Sequence, residues 1–207
     1  ITGVVMYDPE ATDFRKDAEA LGGKDYEARQ SELYRLRREA EERGEDPSKV
    51  VLPPMVDFDG IFIPDAHTRV ALVSSALAYE EFAIGNFQPT KRATPVPLLG
   101  LNGWHNDELY KRGGLYVQNS YFVDSFYPQD PEISGWAEDF RNIAGRAPTS
   151  LDAIGYDTGR LVSVAARLGA TTREDWRMAL EGAQVSRPVS GALRFNEEGE
   201  LDREFYV

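Results

Sequence analysis

Two groups of residues that could bind a small molecule follow two apolar, strand-like segments of this chain. The segments are FDGIFI (residues 58–63) and VPLLGL (residues 96–101), and one helix-length stretch separates them. This order predicts strand, helix, strand, and ligands gather at the carboxyl ends of strands in an open parallel sheet. The sequence therefore predicts a ligand cleft walled by six residues: Asp65, Ala66, His67, Asn102, Gly103 and Trp104.

These residue types suit the recognition of a polar ligand. A helix that begins just after Asp65 would offer unpaired backbone N–H groups, and Trp104 would offer a flat apolar surface. Each side chain also has a structural alternative. Asp65 could cap the helix, His67 could be a surface residue of its first turn, and Trp104 could pack at the edge of the sheet.

Catalytic and metal-binding templates are not met. The chain has two histidines, His67 and His105, which lack metal-binding spacing, and it has no cysteine. It contains neither a GxSxG nucleophile elbow nor a GxxxxGK[ST] phosphate loop. We therefore expect a protein that is not an enzyme and that carries no metal and no cofactor.

Composition narrows the classes of partner. The 207 residues carry a formal net charge of −12, which argues against binding nucleic acid or anionic lipid. Hydrophobic residues make up 42% and charged residues 28%, as in a globular protein. No apolar run approaches the roughly 18 residues of a transmembrane segment.

Hydrophobic periodicity predicts an α/β chain with a largely parallel sheet. Residues 58–63 are apolar almost throughout, which is typical of a strand buried on both faces. The charged residues 27–43 predict an exposed helix, either a solvated surface or a partner-binding arm. The predicted strands cover residues 1–8, 58–63, 96–101 and 115–126, the predicted helices cover residues 13–21, 27–43, 65–84, 106–111, 133–143, 150–168 and 172–180, and a hairpin covers residues 191–200. Three helices thus follow Phe126 with no parallel strand among them.

The succession FDGIFIPD, VPLLGLNGW, YVQNSYFVDSFY and SLDAIGYDTGRL resembles the later part of the type I periplasmic binding proteins. These are extracytoplasmic receptors typified by the branched-chain amino-acid binders of ABC transporters. Within them, the chain is most similar to the lipoprotein subgroup labelled penicillin-binding-protein activator-like. The resemblance extends over nearly the whole chain and rests on the order and spacing of the segments.

The resemblance implies a bilobal fold in which each lobe is a three-layer, Rossmann-like α/β domain with a mostly parallel sheet. Residues 1–128 would form the second lobe, residues 129–183 would be helices that return to the first lobe, and residues 184–207 would form C-terminal strands. The first lobe and the natural start of the protein would lie upstream of Ile1.

The resemblance also implies a function: binding of a small ligand, such as an amino acid or a related metabolite, for a membrane transporter or sensor. Amino-acid receptors commonly place an acid near Asn102, so this departure disfavours a free amino acid. The alternative is a non-catalytic lipoprotein that regulates cell-wall synthesis by binding an envelope protein. Both readings place the protein in the periplasm or elsewhere outside the cytoplasm, with a lipid anchor upstream as one option.

Overall fold

A computed structural model describes residues 1–91, 93–191, 194–196, 198–202 and 205–207 of the chain. Contacts divide the chain into two compact units, residues 1–122 and 123–207. Unit 1 contains α1 (Arg15–Leu21), α2 (Gln30–Glu42), β1 (Ile61–Phe62), α3 (His67–Tyr79), β2 (Leu98–Gly100), α4 (Asp107–Gly113) and β3 (Tyr121–Phe122). Unit 2 contains α5 (Ser134–Ala144), α6 (Ser150–Arg167), α7 (Arg173–Glu181), β4 (Arg194–Phe195) and β5 (Leu201–Asp202).

The sheet of unit 1 is parallel and has the strand order β1-β2-β3, which confirms the predicted class. On one face, Leu98 packs in a core cluster with residues of α3. The register places Phe62, Leu99 and Tyr121 side by side on the opposite face. Phe62 is 57% exposed and Tyr121 56%, so the prediction that residues 58–63 are buried on both faces is wrong. One apolar layer covers this sheet within unit 1, and the second row of side chains meets solvent.

Helix α3 ends earlier than the predicted position near residue 84. Glu81 adopts φ 65°, and the N–H groups of Glu81 and Phe82 donate to the carbonyls of Ala78 and Leu77. This bonding pattern is a Schellman motif, which ends a helix with a left-handed residue, although glycine is the usual choice there. Phe82 is fully buried, and its burial holds Glu81 in that conformation.

The chain makes an excursion between α1 and β1, residues 23–54, which we call the arm. Its ends meet where the Met55 N–H donates to the Gly22 carbonyl at 2.9 Å. The Lys24 ammonium, 1% exposed, binds the Glu80 carboxylate at 2.8 Å and ties the arm to the end of α3. Arg29 donates to the Gly23 and Pro53 carbonyls. The arm contains α2, so the helix predicted in residues 27–43 is confirmed.

Two predicted strands are wrong in place or extent. Residues 1–8 form no strand, and Ile1, Val4 and Met6 are exposed, because no strand of the described chain pairs with them. The strand predicted over residues 115–126 is reduced to β3. A 3₁₀ turn occupies residues 114–116, and Asn119 adopts φ 56°, a left-handed conformation that interrupts extended backbone.

The helices predicted in unit 2 are confirmed within one residue at each end. Capping boxes begin two of them: Thr149 with Asp152 opens α6, and Thr172 with Asp175 opens α7. The predicted C-terminal hairpin is present as the antiparallel pair β4–β5, with Gly199 in its turn at φ 79°. Part of that prediction lies outside the described residues, namely Ala192, Leu193 and Glu197. None of the described helices is long and apolar enough to cross a membrane.

The buried carboxylate of Asp157 fixes the loop before the hairpin to α6. Its Oδ2 accepts the N–H groups of Val189 and Ser190 at 2.8 Å each and the Ser190 hydroxyl at 2.9 Å. Arg160 approaches Oδ1 at 3.4 Å and donates to the carbonyls of Ser186 and Arg187. The loop is therefore held by main-chain contacts and by one carboxylate.

Candidate binding site

The two turns predicted to wall a cleft meet at the carboxyl ends of β1 and β2. Asp65 and Ala66 follow β1, and Asn102 to Trp104 form a 3₁₀ turn directly after β2. A Cβ atom built on Gly103 would lie 3.3 Å from the Asp65 carbonyl oxygen and 3.6 Å from the Ala66 Cα. Glycine thus permits the close approach of the two turns, and a larger residue would push them apart.

The Asp65 carboxylate is engaged by three donors. The Tyr7 hydroxyl donates to Oδ2 at 2.8 Å and the Ala66 N–H donates to Oδ1 at 2.7 Å. Arg69, one turn into α3, donates to both oxygens at 3.1 and 3.2 Å. Ala66 is the N-cap residue of α3, and no side chain caps that helix. Asp65 therefore joins residues 1–8 to the start of α3.

Burial and the neighbouring donors shift the pKa of the Asp65 carboxylate in opposite directions. Burial raises the pKa of Asp65, but the hydrogen bonds from Tyr7, Ala66 and Arg69 together with the Arg69 charge outweigh it, and the net pKa is lowered. Burial, followed by the hydrogen bond to Asp65 and the charge of that group, raises the pKa of Tyr7 to about 12. The pair therefore consists of an ionised carboxylate and a protonated phenol over the physiological range.

The other predicted site residues differ in exposure. Ala66, Asn102 and Gly103 are exposed, and His67 is half-buried as the first residue of α3. The amide of the exposed Asn102 and the imidazole of the half-buried His67 are the polar side chains of the two turns that remain besides Asp65. These groups can donate and accept hydrogen bonds, while the charge of Asp65 is already compensated by Arg69.

Trp104 lies beneath the site and has no solvent exposure. Its indole N–H donates to the Ile63 carbonyl at 3.2 Å. A Cβ atom on Gly100 would fall 2.1 Å from the ring, so the ring occupies the space that a side chain in β2 would need. In this structure the indole presents no face to a ligand, and it fixes the turn after β2 against the end of β1.

Sequence reasoning missed Tyr7 and Arg69. The four-residue spacing between Asp65 and Arg69 was a usable signal, because residues at i and i+4 are neighbours on a helix. Tyr7 is distant in sequence, and nothing near it marks the contact. Among the described residues no cluster of three or more His, Asp or Glu side chains could hold a metal ion.

No family model and no curated protein matches this sequence. Solved structures do match. A protein assigned to branched-chain amino acid ABC transport from Rhodospirillum rubrum aligns with TM-score 0.57 and 21% identity over 84% of this chain and 44% of its own. The leucine-binding protein LivK from Thermotoga maritima aligns with TM-score 0.56 and 20% identity over 88% of this chain and 44% of its own.

A third match is the branched-chain amino acid transporter substrate-binding protein LivJ from Streptococcus pneumoniae, solved with isoleucine. It aligns with TM-score 0.56 and 19% identity over 73% of this chain and 41% of its own. The chain thus spans less than half the length of each of these proteins. At such identities the likeness concerns the fold. The parallel α/β arrangement of this chain is that of part of the type I periplasmic-binding-protein fold.

Proposed function

We propose that this chain is part of a non-catalytic solute-binding protein that works outside the cytoplasm. It would hold a small polar ligand between two lobes and present the closed form to an ABC transporter or a sensor. The observation that carries the proposal is the meeting of the turns after β1 and β2, where a Cβ atom on Gly103 would lie 3.3 Å from the Asp65 carbonyl oxygen. Strand ends of this kind are where open α/β sheets bind ligands.

The proposal assigns residues 1–128 to the second lobe, residues 129–183 to helices that return to the first lobe, and residues 184–207 to its C-terminal strands. The first-lobe sheet would then come from polypeptide beyond this sequence. Support comes from the solved structures, of which this chain spans 41–44%. Closure of the two lobes would be a hinge motion in which the ligand favours the closed state.

The geometry favours particular groups as ligand contacts. The charge of Asp65 is compensated by Arg69 and its carboxylate also accepts the Tyr7 hydroxyl, so Asp65 acts mainly by positioning the start of α3. The Ala66 backbone is already hydrogen-bonded within the protein, so the groups that can face a ligand are the exposed Asn102 amide, the Gly103 backbone and the His67 ring. Such a set suits a polar ligand that is bound by hydrogen bonds, for instance an amino acid or a related metabolite.

Thermal-shift screening of the full-length protein against amino acids and related metabolites tests the function. A ligand at about 100 times its Kd stabilises the folded state by about 2.7 kcal/mol, which gives a clear shift in Tm. We expect Asn102→Ala and His67→Ala to weaken that shift. Asn142→Ala, an exposed asparagine on α5, serves as the matched control and should leave the shift unchanged.

Two outcomes contradict the proposal. If no compound in a broad panel shifts Tm, the receptor function is wrong, and regulation of cell-wall synthesis by a lipoprotein that binds an envelope protein becomes the better hypothesis. If a ligand binds but Asn102→Ala and His67→Ala leave its affinity unchanged, the strand-end turns are not its site.

A further inference from the structure

A second candidate site lies on the outer surface of unit 1. A cavity of about 570 Å³ opens between the turn at residues 9–12, one face of α3 and the end of α4. Small-molecule sites usually measure roughly 300–1,000 Å³. The cavity is formed by unit 1 alone, and neither Asn102 nor Gly103 lines it.

The walls of this cavity are held by hydrogen bonds within the protein. The Asp8 carboxylate accepts the Glu10 N–H at 2.9 Å, and the Asp8 carbonyl accepts the Ala11 N–H at 3.0 Å, which fixes the turn. On α3, the Arg69 guanidinium is oriented by Asp65. Ordered walls reduce the conformational entropy that a ligand would otherwise have to overcome.

Two exposed charged side chains at the cavity, Glu10 and Arg112, are only weakly paired within the protein. Glu10 forms no salt bridge within the described part of the chain, and its charge acts only from a distance on Arg69. Arg112 reaches Glu108 at 3.4 Å, while the same carboxylate binds Lys111 more closely, at 3.0 Å. The Arg69 charge, by contrast, is compensated by Asp65. Glu10 on the turn and Arg112 on α4 therefore line the same cavity, and the protein compensates the charge of each only weakly.

We propose that this cavity binds a small zwitterion whose two charges are separated by a short apolar body. Its ammonium would meet Glu10, its carboxylate would meet Arg112, and its methylene groups would lie over Leu72. The hydroxyls of Thr12 and Thr68 supply further hydrogen bonds. A ligand with a single charge would gain only one of these contacts and would place an uncharged methyl end at the other residue. The site does not depend on the lobe-closure function proposed above.

δ-Aminovalerate is a suitable probe, because its charges stand at opposite ends of four methylene groups. Valerate lacks the ammonium, butylamine lacks the carboxylate, and norvaline is the isomer whose two charges are adjacent. We expect an NMR titration of the chain to show that δ-aminovalerate binds about fivefold more tightly than each of the other three. Its binding should shift the backbone amides of Glu10, Ala11 and Arg112.

Three variants test the assignment of the charges. Glu10→Gln should weaken δ-aminovalerate about fivefold and leave valerate unaffected, and Arg112→Gln should weaken δ-aminovalerate equally and leave butylamine unaffected. Arg173→Gln, an exposed arginine on α7 outside the cavity, is the matched control and should change nothing. The proposal is overturned if all four compounds bind with equal affinity, or if δ-aminovalerate binds both cavity variants as tightly as the wild type. It is also overturned if no amide shifts at up to about 50 mM ligand, a concentration at which even weak binding is detected.

A probe that shifted Asn102 and Gly103 in place of Glu10 and Arg112 would also overturn it, since the ligand would then occupy the strand-end turns. Failure at the cavity would leave the solute-binding function untouched. Conversely, a negative thermal-shift screen of the full-length protein combined with the expected δ-aminovalerate shifts would separate the two sites.

Discussion

Replacing Asp157 by asparagine should loosen one specific loop of unit 2. The carboxylate is fully buried, and its Oδ2 accepts three hydrogen bonds from Val189 and Ser190. Asparagine keeps the shape but loses the charge, and its NH₂ group would face the Arg160 guanidinium. A hydrogen bond to a charged group contributes about 1.5–3 kcal/mol and a neutral one about 0.5–1.5. Since the contributions of neighbouring hydrogen bonds do not add fully, we expect Asp157→Asn to lower the free energy of unfolding by about 2–3 kcal/mol.

Asp157→Ala should lower the free energy of unfolding more than Asp157→Asn does, by about 3–5 kcal/mol relative to the wild type, because the Arg160 charge and the two N–H groups would lose their acceptor. Urea denaturation measures the free energy of unfolding. Hydrogen exchange followed by mass spectrometry locates the loosened segment. We expect the exchange rate to increase most in the peptide that carries Val189 and Ser190. Glu138→Gln, an exposed carboxylate on α5, is the control and should stay within about 0.5 kcal/mol of the wild type.

The reasoning would be refuted if Asp157→Asn lowers the free energy of unfolding by less than about 0.5 kcal/mol and leaves hydrogen exchange at Val189 and Ser190 unchanged. That result would mean that the loop is held by its apolar contacts. A large loss spread evenly over the chain would also refute it, because the carboxylate would then support the whole unit and not this loop.

Three further predictions concern other parts of the chain. Lys24→Met should destabilise unit 1 by about 3–5 kcal/mol in urea denaturation because Glu80 would stay buried without its partner, and adding Glu80→Leu should restore most of the loss. The pKa of Tyr7 is about 12 in the folded state, above its ordinary value of 10.0, so folding favours the protonated phenol. Stability should therefore be intact below pH 10 and fall as the pH rises toward 12, a decline that Tyr7→Phe should reduce in pH-dependent unfolding. Leu151 and Val162 on α6 are 77% and 46% exposed, so we expect the chain to self-associate through them and to give a mass above 23.2 kDa in light scattering. The double variant with Glu at both positions should be monomeric. A monomeric wild type would contradict the prediction.

Local sequence signals predicted the helices of unit 2 well. The capping boxes of α6 and α7 lie within four residues, and the apolar period of each helix is regular. The predicted end of α3 failed for a tertiary reason. Glu81 adopts a left-handed conformation that favours glycine, and the burial of Phe82 maintains it. Propensity alone contains no sign of this constraint.

The position of the strand-end turns could be predicted, since it follows from strand order and topology. The state of each side chain in them could not. Tyr7 reaches Asp65 from 58 residues away, and Trp104 turns beneath β2 because Gly100 leaves room for its ring. Such contacts depend on packing between distant segments. The exposed row containing Phe62 also shows that an apolar run does not reveal how many of its faces are covered.

The meeting of the two ends of the arm has a consequence for variation in chain length. Because Gly22 and Met55 are joined by a backbone hydrogen bond, residues could be added or removed between them without moving α1 or β1. Lengthening a closed loop changes its entropy only slowly. The limit on shortening is set by Lys24, since a deletion that removes it leaves Glu80 buried and unpaired. The arm is therefore a place where homologous chains can differ in length, provided that the residue pair at positions 24 and 80 changes together.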